Sequence, residues 1–349
     1  MVLVTALTEA LGLRVPLVQG GMQWVGTPAL AAAVTNAGAL GVLTALTQPT
    51  PDALRQAIRE TRALISDDIK AERKGKYGEI AVNLTLLPSI NPPDYEGFTR
   101  AAIEEGCRIF ETAGYNPGPI IKIAKQHNCY VIHKCTSVRH AKSAEKLGAD
   151  MLSIDGFECA GHPGEDDIGG LVLMARAAEE LKVPFIASGG IANGQGLASA
   201  LALGAAGANM GTRFMCTKEA EVHDNVKKAM VDADERNTTH IFRTLRNTAR
   251  VYKNKVAVEV VRLENRPGGA KFEDVRELVS GARGKKVYET GDIDAGVWSA
   301  GITVGLIHDI PTCKELVAQM EADAEKHISR LATLVSHKQS NTQARPSKL

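Results

Sequence analysis

Short runs rich in Val, Ile, Leu and Ala alternate along the chain with longer stretches of helical period, the pattern of buried parallel strands joined by crossover helices. Eight runs read as strands, at residues 15–22, 39–46, 80–87, 108–113, 130–135, 151–155, 184–188 and 207–211. Helical stretches between them include 27–36, 51–64, 138–147 and 194–203, several closing on Asn-Ala-Gly or Leu-Gly-Ala, where glycine takes a left-handed cap. Eight such units predict an α/β fold of the (β/α)8 TIM-barrel type. A doubly wound dinucleotide fold is the rival, but its G-x-G-x-x-G fingerprint is missing: the single G-x-G, Gly194 to Gly196, has Ser199 at the last position.

The pattern changes after the eighth strand. Residues 217–290 are charged, have helical period and close in the turn-rich Asn265-Arg266-Pro267-Gly268-Gly269 and Gly281-Ala282-Arg283-Gly284. They predict a small, mainly helical insertion domain between barrel segments 1–216 and 291–349. Within it Arg243, Arg246 and Arg250 recur at steps of three and four, which predicts one helix face able to bind the pyrophosphate of a nicotinamide dinucleotide. After a last helix at about 315–335, residues 338–349 read as a flexible tail ending in Ser347-Lys348-Leu349, the peroxisomal address. That ending predicts a peroxisomal location, with cytoplasm as the alternative, and the import receptor as a partner.

Charge and composition narrow the ligand. Lys plus Arg number 41 against 40 acidic residues, a net charge of +1 that favours a small molecule over nucleic acid. No apolar run approaches the roughly 18 residues of a membrane span. The six cysteines contain no C-x-x-C pair, which predicts free thiols in a reducing compartment and no metal site.

Candidate chemistry sits at the C-terminal strand ends, where barrels of this type bind ligands. Ser188-Gly189-Gly190 after the seventh strand and Gly211-Thr212 after the eighth are placed to cradle a phosphate on backbone N–H groups. Tight turns alone would also explain either glycine cluster; their occurrence at successive strand ends favours phosphate. Lys134, in the fifth strand, needs an anionic or polar ligand if it faces the barrel mouth, or else Asp155 as a partner or a solvated outward position. His162 lies in Gly161-His162-Pro163-Gly164, a loop too rich in Gly and Pro to bury it on a helix face, and is expected to project into the mouth as a substrate-orienting group or base. Cys135 and Cys159 have no evident base and are expected to be inert.

These segments carry a resemblance. Gln19 to Gly26, Asn83 to Pro88, His133 to Thr136, Ser153 to Asp167, Asn209 to Phe214 and Gly291 to Gly301 resemble the nitronate monooxygenase, or 2-nitropropane dioxygenase, family of FMN enzymes, over nearly the whole length to about Ile310. Within that family the motifs look most like the bacterial NADH:quinone reductases. The resemblance implies non-covalent FMN held by Gly21, Met22, Asn83, Thr85, Lys134, Ala160, Gly161, Ser188, Gly189, Gly190, Gly211 and Thr212. It implies His162 as the active-site histidine, Trp298 and Ser299 on the substrate side, and an insertion domain covering the flavin. The reaction it implies is hydride transfer from NAD(P)H to FMN and on to a quinone. The alternative is oxidation of alkyl nitronates with oxygen beside His162, and a minor one is a non-catalytic flavin-binding protein. A barrel like that of IMP dehydrogenase is disfavoured because Cys159 is followed by Ala-Gly-His and not by an activating hydroxyl cluster.

Overall fold

The computed structural model describes residues 3–86 and 92–335. Its strands are β1 (Leu17–Gln19), β2 (Gly41–Thr44), β3 (Ile80–Leu86), β4 (Ile109–Gly114), β5 (Tyr130–Cys135), β6 (Met151–Asp155), β7 (Phe185–Ser188) and β8 (Ala208–Met210). They form one parallel sheet in the order β1-β8-β7-β6-β5-β4-β3-β2, and a bridge between Val18 and Leu40 joins β1 to the chain entering β2. The eight strand–helix units therefore close on themselves as the (β/α)8 barrel that the alternating pattern predicts.

The ends of β1 and β8 fall short of the predicted 15–22 and 207–211. After β1 the Gly20 N–H still donates to the Met210 carbonyl at 3.1 Å, and the ladder ends at Gly21, the N–H of which donates to the side chain of Glu111 at 2.7 Å and not to a neighbouring strand. Leu87 and the tail with Ser347-Lys348-Leu349 lie outside the described residues.

Period-two alternation decides what faces the barrel axis. Ala81, Ile109, Ile132, Met151 and Ile186 form an apolar inner layer, closed below by Leu7 and Leu11 of the first helix. Two residues further along the strands the inward positions turn polar, to Asn83, Glu111, Lys134, Ser153 and Ser188. The switch from an apolar to a polar interior within one strand step marks the mouth. The opposite strand faces, including Val82, Phe110, Val131 and Leu152, pack under the helices in the larger core. Among the described residues no helix is long and apolar enough to cross a membrane.

Residues 217–290 contain helices Asp224–Val231, Lys255–Glu264, Phe272–Val275 and Gly281–Thr290, and also an antiparallel pair, β9 (Thr238–Ile241) and β10 (Ala249–Tyr252). Ile241, Ala249, Val251, Ala257, Val260 and Val275 form a small core of their own there. The predicted arginine helix does not exist. Arg243 and Arg246 lie in the turn between the strands, Arg250 lies on β10 opposite His240, and left-handed backbone at Phe242 and Arg246 reverses the chain. The spacing of three and four mimics a helix, but the β-branched and aromatic residues flanking the turn favour extended strands.

Candidate active site

Two glycine turns shape one end of a cavity of about 1080 Å³ at the C-terminal mouth. Gly189 and Gly190 both have left-handed backbone, at φ of 79° and 78°. A Cβ on Gly189 would also press on Cys159 at 2.9 Å, so glycine is required there twice over. Gly211 and Thr212 complete the same end, and the Thr212 hydroxyl accepts the Gly301 N–H at 3.0 Å. The cavity wall also brings together Gly21, Met22, Thr85, Lys134, Ala160, Gly161, His162, Ser188, Trp298 and Ser299.

Asn83 does not stand on that wall. It is 1% exposed and lies directly beneath Gly21, where any Cβ on the glycine would overlap its side chain. Its amide donates at 2.8 Å to Glu111 Oε2, the atom that also accepts the Gly21 N–H at 2.7 Å. The second carboxylate oxygen of Glu111 accepts from Asn209 Nδ2 at 2.8 Å and faces Lys134 Nζ at 3.5 Å. One buried carboxylate thus fastens the loop after β1 to β3, β5 and β8. Sequence reasoning gave Glu111 no role. The available signal was a charged residue two positions after the inward Ile109 in an otherwise buried strand.

Charge at the mouth follows from this network. Burial works to lower the Lys134 pKa, but Glu111 first and Asp155 next hold it above the ordinary lysine value, so the ammonium persists. Burial raises the pKa of Asp155, against the pull of Lys134 and a hydrogen bond with Ser188. Asp155 Oδ1 is buried with no partner among the described residues, on the cavity side of the cradle. A glycine cradle, a fixed cation and an orphaned carboxylate oxygen in one chamber fit a phosphorylated, hydroxyl-bearing cofactor.

The loop that carries His162 is strapped to the β9–β10 pair. Gly161 and Arg250 exchange backbone hydrogen bonds of 2.6 and 3.1 Å. Glu165 accepts from the Thr248 N–H and hydroxyl at 2.7 and 2.6 Å. Arg250 is 4% exposed, donates to the Phe157 carbonyl and stacks over the Phe157 ring, while Arg243 pairs with Asp167 at 3.1 Å. Two of the three arginines expected to hold a dinucleotide, Arg243 and Arg250, are therefore committed to bracing this loop. Glu165→Ala is expected to destabilise the protein by about 2 kcal/mol, because two hydrogen bonds to a carboxylate are lost. A lowered urea midpoint checks it; an unchanged midpoint would show that the strap holds without Glu165.

His162 itself stands open to the cavity yet is walled by protein on most sides. That burial pushes its pKa below the ordinary histidine value, with Glu165 opposing. No hydrogen-bond partner of its ring is found among the described residues, so the ring faces the cavity as a free neutral imidazole. Burial drives the Cys135 and Cys159 thiols up, which leaves them un-ionised and inert. Opposite, Trp298 is buried and stacked on Tyr252 at 4.3 Å, and its neighbour Ser299 is exposed on the cavity wall.

Residues 4–323 match the family model for nitronate monooxygenase. The chain belongs to the nitronate monooxygenase family. Members of this family are flavin enzymes, and this chain is an oxidoreductase with a flavin cofactor. It is 30% identical to the "(3aS,4S,5R,7aS)-5-hydroxy-7a-methyl-1-oxo-octahydro-1H-indene-4-carboxyl-CoA dehydrogenase" of Rhodococcus jostii, over 95% of this chain and 98% of that one. It is 29% identical to a nitronate monooxygenase of Paraburkholderia phytofirmans, over 93% of this chain and 96% of that one. Among solved structures, FabK from Thermotoga maritima superposes with a TM-score of 0.84 at 30% identity, covering 95% and 99% of the two chains. The nitroalkane oxidase of Streptomyces ansochromogenes superposes with a TM-score of 0.76 at 26% identity, covering 94% and 100%.

Proposed function

We propose that the protein oxidises nitronates with FMN, and that His162 supplies the base that generates the nitronate from a neutral nitroalkane. The observation that carries this reading is the free, neutral imidazole of His162 facing the cavity. The cradle of Ser188 to Gly190 and Gly211-Thr212 offers N–H groups for one terminal phosphate, which favours the mononucleotide. When bound, the flavin supplies a two-electron acceptor that oxygen can regenerate.

The chain's own residues divide the remaining work. His162 takes a proton from the carbon beside the nitro group and holds it as imidazolium, with Glu165 near enough to favour that charge. Lys134, fixed by Glu111, contributes positive charge to a chamber in which an anion must be held. Ser299 and the buttressed Trp298 form the facing wall.

Only neutral His162 can accept the proton. Its pKa lies below 6.5 in the folded protein, so kcat/KM for a neutral nitroalkane is expected to be full above that value and to fall as pH drops through the depressed pKa. A profile still rising above pH 7 would contradict this. Oxygen uptake with alkyl nitronates tests the reaction itself.

The NAD(P)H:quinone reductase suggested by the sequence motifs remains the second reading. It loses the arginine helix as a dinucleotide site but keeps one support, the size of the cavity. At about 1080 Å³ this exceeds the roughly 300–1,000 Å³ of most ligand pockets, leaving room beside a cofactor for a second sizeable molecule.

A further inference from the structure

The cavity does not stop at the chamber around His162. Its lining extends to Ala113 and Gly114 at the end of β4, to the outward-facing His133 and Cys135 of β5 and to the helix that follows β5, a set of residues that forms an arm of the cavity. His140, Ser143, Ala144 and Leu147, spaced as i, i+3, i+4 and i+7, turn one face of the helix Val138–Leu147 toward it. This face is about 10 Å long. The small side chains of Ser143 and Ala144 leave space where larger ones would close the gap between neighbouring helices. Tyr115 and Pro117, in the loop after β4, form the opposite lip.

The chemistry of the arm differs from that of the chamber. No carboxylate or ammonium lines it among the described residues, and its titratable groups apart from tyrosine are two histidines and Cys135. His133 is buried and hydrogen-bonded to the Thr112 hydroxyl at 2.8 Å, and burial pushes its pKa down to about 4, so it is uncharged at neutral pH. At the outer end Leu147 is 42% and Tyr115 64% exposed, apolar surface that an occupant of the arm would cover. The ionisable Lys134 and Asp155 stay on the inward side of the strands, in the chamber.

We propose that this arm is a subsite for an uncharged hydrocarbon tail of the substrate, the polar reacting end of which sits beside His162. The proposal rests on the reading of the chamber as the catalytic site. It makes the enzyme selective for long-chain substrates over the smallest ones, through contacts remote from the reacting atoms.

Binding of straight-chain primary nitroalkanes of three to twelve carbons to the flavin-loaded protein tests it, with the flavin reduced beforehand and oxygen excluded so that it cannot accept electrons from the ligand, read from the perturbation of the reduced-flavin absorbance. Affinity is expected to rise about fourfold for each methylene that enters the arm, then to level off once the arm is full. Ser143→Trp, at an exposed helix position, is expected to flatten the series, and Leu147→Ala to weaken the longest members more than the shortest. Equal slopes in the wild type and Ser143→Trp would overturn the proposal, as would affinity independent of chain length. A rising series with no oxidation of any nitronate would support the arm while refuting the proposed reaction, so the two failures are distinguishable.

Discussion

Glu111→Ala is expected to yield a less stable protein that no longer retains its flavin. The substitution leaves the Gly21 N–H, the amides of Asn83 and Asn209 and the Lys134 ammonium without their shared acceptor. Glu111 is 1% exposed, so water does not readily replace it. Removing one partner of a buried ion pair costs about 3–5 kcal/mol, a large share of a typical folding stability of about 5–15 kcal/mol. The loop after β1 would lose its anchor at Gly21, and Lys134 would lose the charge that fixes it. Flavin affinity is expected to fall by about a hundredfold, the equivalent of one such charge-assisted interaction. Glu111→Gln keeps the shape and removes the charge. It is expected to fold more stably than the alanine variant and to raise the potential of the bound flavin, because a negative charge near the ring pocket is gone. Dialysis against free FMN, urea unfolding and a redox titration read the three effects. Wild-type flavin retention and an unchanged urea midpoint in Glu111→Ala would show that the network is dispensable.

His162→Ala is expected to separate two substrates that differ by one proton. With a neutral nitroalkane, kcat/KM should fall by about a hundred- to ten-thousandfold, the range of a lost general base. With the preformed nitronate, which needs no base, most of the rate should survive. Parallel losses for both substrates would assign His162 to binding alone, and no loss for either would remove it from the mechanism.

The barrel was legible because each strand lies in its own local run and is closed by its own glycine or polar residue. β5 and β6 have the predicted ends, at Tyr130, Cys135, Met151 and Asp155. The insertion was less so. Thr238–Ile241 and Ala249–Tyr252 are short, their pairing is non-local, and the arginines between them fall at a helical spacing by accident of the turn. At the site, the strand-end residues announced themselves by composition, and the cavity gathers all of them except Asn83. The role of Glu111, though not its place at a polar strand end, stayed hidden for a physical reason. Its meaning lies in partners at 21, 83, 134 and 209, which only barrel closure brings within reach of one carboxylate. Asn83 appeared as a cofactor contact in its own right, whereas it packs beneath Gly21 and holds that carboxylate.

The electron donor tests the account most directly. The flavin-loaded protein, kept free of oxygen, would be mixed in turn with an alkyl nitronate, NADH and NADPH while the flavin absorbance is followed. The account predicts that the nitronate bleaches the flavin and that neither nicotinamide does so at a comparable rate. Rapid bleaching by NADH or NADPH, with the nitronate leaving the spectrum unchanged, would contradict it.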